Sequence, residues 1–150
     1  MDVSYILDDL NDAQLQAVTS ESKKLLVLAG AGSGKTKVLV HRIAWLIKAL
    51  SNSTHSILSV TFTNKAANEM TGRIEQILDQ PIPEMWCGTF HSISNRLLRR
   101  HYKEAGLEKD FSILDSDDQL RVIKRNLKEL DIDEDQWPPE KVRWQINNWK

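Results

Sequence analysis

A single cysteine, Cys87, is all the thiol chemistry in these 150 residues. It cannot form an internal disulfide, so the fold does not depend on an oxidising compartment, and its simplest role is that of a small buried hydrophobe. Long apolar runs are missing as well: none approaches the ~20 residues that cross a bilayer. The opening MDVSYILDDL lacks the basic start and apolar stretch of a secretory signal. A soluble, cytoplasmic protein with no membrane partner is expected. Neither sign of charge is in excess, the formal net charge being -1, so a site for a polyanion has to come from local clustering. Internal repeats, low-complexity tracts and long polar stretches are absent. With 41% hydrophobic and 27% charged residues, the chain has globular composition and the length of one ordinary domain.

What is present is an alternation of short apolar runs and helical periodicities. LNDAQLQAV reads as a short helix with Asn11 as N-cap and Leu15 and Val18 on one side. KKLLVLAG has the continuous apolar character of a strand covered on both faces. From Lys35 to about Leu50, Val38, Leu39, Ile43, Leu46 and Ile47 recur at helical spacing. HSILSVTFT predicts a second strand. NKAANEMTGRIEQIL predicts a second long helix, capped by Asn64 and directing Ala66, Met70, Ile74 and Ile77 inward. Pro81 and Pro83 interrupt the pattern; MWCGTF then has strand character, and HSISNRLLRRHYKEAG returns to helix with Gly106 as its stop. Strands alternating with helices predict an α/β fold, a parallel sheet with flanking helices. Beyond a boundary between residues 88 and 92, FSILD is the only strand-like piece. DSDDQLRVIKRNLKELDI and PPEKVRWQINNWK predict helices. The organisation is therefore an α/β unit over 1–90 and a mostly helical segment over 91–150.

The chemistry is concentrated in AGAGSGKT, between the first apolar strand and the following helix. Gly30, Gly32 and Gly34 allow backbone N–H groups to wrap an anion, because glycine tolerates positive φ and has no Cβ to hold the backbone away. With Ala31 and Ser33 between them, they deliver that anion to the positive end of a helix beginning near Lys35. Lys35 then reaches the β and γ phosphates as a point charge, and the Thr36 hydroxyl is placed to ligate Mg²⁺. Ala29 stands where the strict P-loop pattern has glycine, at the strand exit, where a methyl group is easily accommodated. The spacing is not that of a dinucleotide fingerprint, and Lys-Thr suits a triphosphate with Mg²⁺, so a nucleoside triphosphate and Mg²⁺ are the expected ligands.

Hydrolysis also needs an acidic residue at the end of a second apolar strand, a group that orients water, and in most cases an arginine. Asp133 and Glu134 in LDIDEDQ have no apolar run before them and read as a solvated loop. Asp115, followed by Ser116, Asp117 and Asp118, reads as a helix start. The catalytic acid is not found among these residues.

Four segments in order, LNDAQLQAV, LLVLAGAGSGKTKVLVHRIAWLI, SVTFTNKAANEM and GTFHSISNRLLR, resemble the N-terminal part of superfamily 1 DNA helicases of the UvrD, Rep and PcrA group. The likeness continues through FSILDSDDQLRVIKR and QWPP. It implies a RecA-like P-loop NTPase domain, incomplete here and interrupted by a helical insertion, with the Mg²⁺-binding acid returning only afterwards. It implies that Gln14 hydrogen-bonds the adenine, an amide being able to donate and accept at once. By its own residues Gln14 reads as an exposed helix position. Lys37 follows the Gly-Lys-Thr at a position where arginine is common in these enzymes, so charge is kept but planar bidentate contact is lost.

The same resemblance implies a single-stranded DNA groove with Phe62 stacking on a base, Thr63 and Asn64 at phosphate or sugar, and Thr89 and His91 in a further contacting segment. Spacing alone leaves Phe62 equally readable as core and Asn64 as a simple cap. No second His or Cys lies at ligand spacing from His91. Two basic series, Arg96, Arg99, Arg100 and Lys103, and Arg121, Lys124, Arg125 and Lys128, each line one face of a helix. A solvated face and a phosphate-contacting stripe are both consistent with them. The function so implied is that of the front of an ATP-dependent helicase translocating 3′ to 5′ on single-stranded DNA in repair. Single/double-strand junctions, the remaining helicase domains in cis and repair proteins are its partners, and the chain alone has no turnover. The competing reading is a stand-alone nucleotide- and DNA-binding regulatory module; a P-loop kinase finds no acceptor site or lid.

Overall fold

The computed structural model describes residues 3–149. Its contacts divide the chain into two compact units, Met1–His101 and Tyr102–Lys150. In the first, a single-turn 3-10 helix at Ser4–Ile6 is followed by α1 (Asp12–Thr19), α2 (Lys35–Lys48), β1 (Leu58–Thr61), α3 (Asn64–Leu78), β2 (Trp86–Thr89) and α4 (Phe90–Arg100). β1 and β2 are parallel, in a register that runs from Leu58 opposite Trp86 to Thr61 opposite Thr89. α3 forms the crossover that a parallel pair requires.

The core of this unit lies between α2 and α3. Val40, Ile43 and Ala44 come from one face of α2, Met70, Ile74 and Leu78 from one face of α3, and Ile6, Ile82 and Met85 close the ends. The i, i+3/i+4 spacing read from the sequence is therefore present, with Val38, Ile43, Met70 and Ile74 buried as expected and some of their neighbours exchanged. Leu39, expected inside, is exposed. Ala67 and Leu78 are buried, and their neighbours Ala66 and Ile77 are only half-buried. Cys87 is likewise half-buried in β2, its thiol directed to the Ala67 carbonyl at 3.6 Å.

Helix ends follow local chemistry. α1 begins with a complete capping box: the Asn11 side chain accepts from Gln14 N–H at 3.0 Å and the Gln14 side chain accepts from Asn11 N–H at 3.2 Å. The cap of α3 is Thr63 rather than Asn64; its hydroxyl accepts from Ala66 N–H at 3.1 Å, and Asn64 is the first helical residue. Thr63→Ala is accordingly expected to destabilise the first unit by about 1 kcal/mol in urea unfolding, against a few tenths for Asn64→Ala. Equal losses for the two variants would contradict this cap.

The largest departure from expectation is the apolar run ahead of the glycine loop. Leu25–Gly30 is irregular, with Leu26 80% and Leu28 83% exposed. A strand gains its ladder and its cross-strand packing only from a neighbour, and among the described residues the only paired strands are β1 and β2. FSILD (111–115) is irregular for the same reason, with Ile113 and Leu114 exposed. α4 also ends earlier than expected, at Arg100. Gly106 does adopt positive φ, but it closes a separate turn in which Leu107 N–H donates to the Tyr102 carbonyl at 2.8 Å.

The second unit contains α5 (Ser116–Glu129) and α6 (Pro139–Trp149). The helix expected to reach Lys150 is described up to Trp149, Lys150 lying outside the described residues. Asp115 caps α5, its carboxylate accepting from Asp117 N–H at 2.9 Å and Asp118 N–H at 2.8 Å. Among the described residues no helix is long and apolar enough to cross a membrane.

Candidate functional site

The glycine loop turns at Ala31 and Gly32 and delivers the chain to α2 through Gly34, which has φ +83 and caps the helix with no side-chain bond. The left-handed conformation makes this position glycine, since an L-residue disfavours it; a Cβ here would also come within 2.8 Å of the Gln14 side-chain nitrogen, which would have to move aside. The first-turn N–H groups of α2 therefore face the loop with the partial positive charge of a helix N-terminus.

Ser33 tightens the turn, its hydroxyl donating to the Gly30 carbonyl at 2.7 Å. The Lys35 ammonium folds back into the loop and donates to the carbonyls of Ala29 at 3.0 Å and Gly30 at 2.5 Å. Thr36 is exposed beside it on the first turn. Next to the loop, a cavity of about 220 Å³ is lined by Asn11, Gln14, Leu28, Ser33, Lys35 and Val38, among others.

Gln14 and the loop are adjacent because α2 holds the N-terminal segment with three basic side chains. Lys37 donates to the Asp9 carbonyl at 2.5 Å, the His41 ring nitrogen Nδ1 bonds the Ile6 carbonyl at 2.5 Å, and Arg42 donates to the Val18 carbonyl at 2.5 Å. Of the loop residues singled out in the sequence, Gln14, Ala31, Gly32, Ser33, Gly34, Lys35 and Thr36 converge. Lys37 is the exception in that its ammonium is engaged at Asp9.

A second cluster occupies the carboxyl ends of β1 and β2. Because Thr61 lies opposite Thr89, the residues leaving the two strands are neighbours. Phe62 leaves β1 92% exposed, which excludes it from the core. Thr63 and Asn64 start α3. Thr89 is buried as the cap of α4, accepting from Ser92 N–H at 3.2 Å, and Phe90 and His91 are exposed on its first turn. Gly88 allows α4 to start so close to the sheet: a Cβ there would lie 2.5 Å from the Ser92 hydroxyl and 3.3 Å from Ile93. Two helix N-termini and two exposed aromatic rings are thus presented at the end of a parallel sheet where ligands of open α/β folds bind.

Asp115 and Asp133, considered as catalytic acids, serve local structure. Asp115 is the α5 cap, and Asp133 accepts from Asp135 N–H at 2.9 Å. Both belong to the second unit.

Residues 10–150 match the model of the UvrD/REP helicase N-terminal domain. The chain belongs to this family. It is 57% identical over 150 residues to DNA helicase II of Salmonella typhimurium, covering 100% of this chain and 21% of that protein. The same identity, 57% over 150 residues and 21% of the relative, holds for DNA helicase II of Escherichia coli K12. ATP-dependent DNA helicase PcrA of Bacillus subtilis is 46% identical over 147 residues, 98% of this chain and 20% of that protein. The chain thus spans about a fifth of the length of these curated relatives.

Several features of this UvrD/REP N-terminal domain were not legible in its sequence. The Gln14 side-chain nitrogen donates to the Ser33 carbonyl at 3.2 Å, joining α1 to the loop. Trp86 is stacked under two guanidinium groups, Arg96 at 4.4 Å and Arg100 at 5.7 Å from the ring centroid. The i, i+4 spacing of these arginines was visible, but the ring beneath them was not. Lys103, read as the fourth member of that stripe, lies beyond α4 and sits 5.9 Å from the Tyr102 ring instead. On α5 all of Arg121, Lys124, Arg125 and Lys128 are exposed; Arg121 pairs with Asp118 at 3.1 Å and Arg125 with Glu129 at 3.8 Å. Exposed pairs of this kind are worth little in stability.

Proposed function

We propose that this chain is the nucleotide-gripping front of an ATP-dependent DNA helicase. Residues 1–90 form the start of a RecA-like ATP-binding domain, and 91–150 begin a helical insertion. The observation that carries this reading is the Lys35 ammonium held inside a loop that Gly34 closes onto the N-terminus of α2. That cradle suits a triphosphate: the amides of Ala31–Gly34 and of the first turn of α2 hold phosphate oxygens, and Lys35 neutralises their charge. Gln14 lies at the adjoining cavity, where it can pair with the adenine. The Thr36 hydroxyl supplies one ligand to Mg²⁺, which when bound offsets charge on the β and γ phosphates.

Single-stranded DNA lies across the ends of β1 and β2, with a base stacked on Phe62 and the backbone at Thr63, Asn64 and His91, while Thr89, expected to touch DNA, is buried and instead caps the helix that presents His91. The complete enzyme translocates 3′ to 5′ as two such domains close and open on ATP. It works in the cytoplasm at single/double-strand junctions in repair, with repair proteins as partners. Its Mg²⁺-binding acid, and hence turnover, comes from the remaining domains in cis.

Equilibrium binding to the 150-residue chain tests both halves of the site. Phe62→Ala is expected to weaken a fluorescent oligothymidine by roughly five- to a hundredfold, the worth of about one stacked base, while leaving Mg-ATP binding unchanged. An oligothymidine affinity indifferent to Phe62 would remove the DNA half of the proposal.

A further inference from the structure

The Gln14 amide makes two hydrogen bonds within the chain. Its oxygen accepts from Asn11 N–H, completing the α1 cap, and its nitrogen donates to the Ser33 carbonyl, both at 3.2 Å. Ser33 is also the residue whose hydroxyl closes the loop on Gly30, and the Gln14 side-chain nitrogen lies 2.8 Å from where a Cβ on the neighbouring Gly34 would stand. The loop's own bonds converge on the carbonyls of Ala29 and Gly30, and the backbone bond from Ser33 N–H to the Gly30 carbonyl is long, at 3.5 Å. The link from Gln14 therefore comes from a helix that is itself anchored to α2 through Arg42 and the Val18 carbonyl.

We infer that Gln14 is a positioning residue for the phosphate loop, a strut that fixes the Ser33–Gly34 peptide and so orients the amides that grip a triphosphate, whatever base that triphosphate carries. This rests on the nucleotide-binding reading and deepens it. An amide offers two donors and two acceptor sites, so one N–H and one lone pair remain for a base after both internal bonds are made. Base reading and loop positioning are compatible, and they differ in what they do to a ligand with no base.

Binding of Mg-ATP and of Mg-tripolyphosphate to the 150-residue chain separates the two roles, with Gln14→Ala and Gln14→Glu as variants. Gln14→Glu keeps the acceptor for Asn11 and faces the Ser33 carbonyl with an oxygen that cannot donate. Loss of the strut weakens tripolyphosphate about three- to tenfold in both variants, and ATP by at least the same factor. It also lowers the backbone ¹⁵N order parameters of Gly30–Gly34 in the unliganded chain. Asn11→Ala, which removes the cap bond without touching Ser33, is the control for simple loss of helix stability and leaves those order parameters unchanged. A loss confined to ATP, or order parameters equal to those of the parent chain, overturns the strut. If tripolyphosphate binding to the parent chain is insensitive to Lys35→Ala, the nucleotide-binding reading itself fails. The strut is then decided by the order parameters alone.

Discussion

Replacing Lys35 by alanine is expected to lower DNA-stimulated ATP turnover of the complete helicase by about 10²–10³-fold, the scale on which one preorganised charge stabiliser acts. The ammonium is the one positive side chain inside the glycine loop, 3.0 Å from the Ala29 carbonyl and 2.5 Å from the Gly30 carbonyl. Alanine at this position keeps the helix start and the Gly34 conformation but leaves the phosphate oxygens to the backbone amides. Because Lys35 is exposed, the thermal midpoint of the 150-residue chain should be unchanged. A kinetic loss without a stability loss is therefore the signature to look for. Turnover within about tenfold of the parent would show that Lys35 carries little of the charge stabilisation that transition-state arithmetic demands. The 150-residue chain, parent or variant, is expected to release no phosphate above background, since none of the candidate acids, Asp115, Asp133 and Glu134, follows an apolar strand, and Asp115 and Asp133 accept local backbone hydrogen bonds.

Ile74→Ala is expected to have the largest effect on stability, about 3–4 kcal/mol in chemical denaturation. Ile74 is 0% exposed and sits at the centre of the α3 stripe, between Met70 and Leu78 and against Val40, Ile43 and Ala44. Removing its branched side chain loses transfer energy and leaves a cavity that two packed helices cannot readily close. Against the ~5–15 kcal/mol that holds an ordinary domain together, this is a large share. Leu39→Ala, on the same α2 but 43% exposed, should cost less than about 1 kcal/mol. A similar cost for the two would mean that the α2–α3 interface is not what stabilises the first unit.

Much of the loop's geometry was legible because its determinants are local. Gly-Lys-Thr after an apolar run announces a glycine turn that enters a helix N-terminus, since left-handed glycine conformations and helix starts are properties of contiguous residues. Asn11 was read as a cap and Asp115 as part of a helix start for the same reason. Where a cap was misplaced, the competing chemistry was equally local: Thr63 and Asn64 are adjacent and both can cap, and only the backbone geometry chooses. Phe62 stood between core and surface on spacing alone, because a strand end does not say how far the next residue turns out of the sheet.

The sequence by itself determined the alternation of α and β elements, the glycine loop at the start of α2, the parallel relation of the two strands and membership of the UvrD/REP helicase N-terminal family. Each of these follows from periodicity, punctuation or motif order along the chain. The tertiary structure alone decided that Leu25–Gly30 stays unpaired while Leu58–Thr61 finds Trp86–Thr89. It also directed Lys37 to Asp9, 28 residues away, and laid the Gln14 amide on Ser33, 19 residues on. The physical reason is one of range. A cap or a left-handed glycine is settled within one helical turn, whereas a ladder or a long-range side-chain bond forms only when packing of distant segments has brought its partner within about 3 Å.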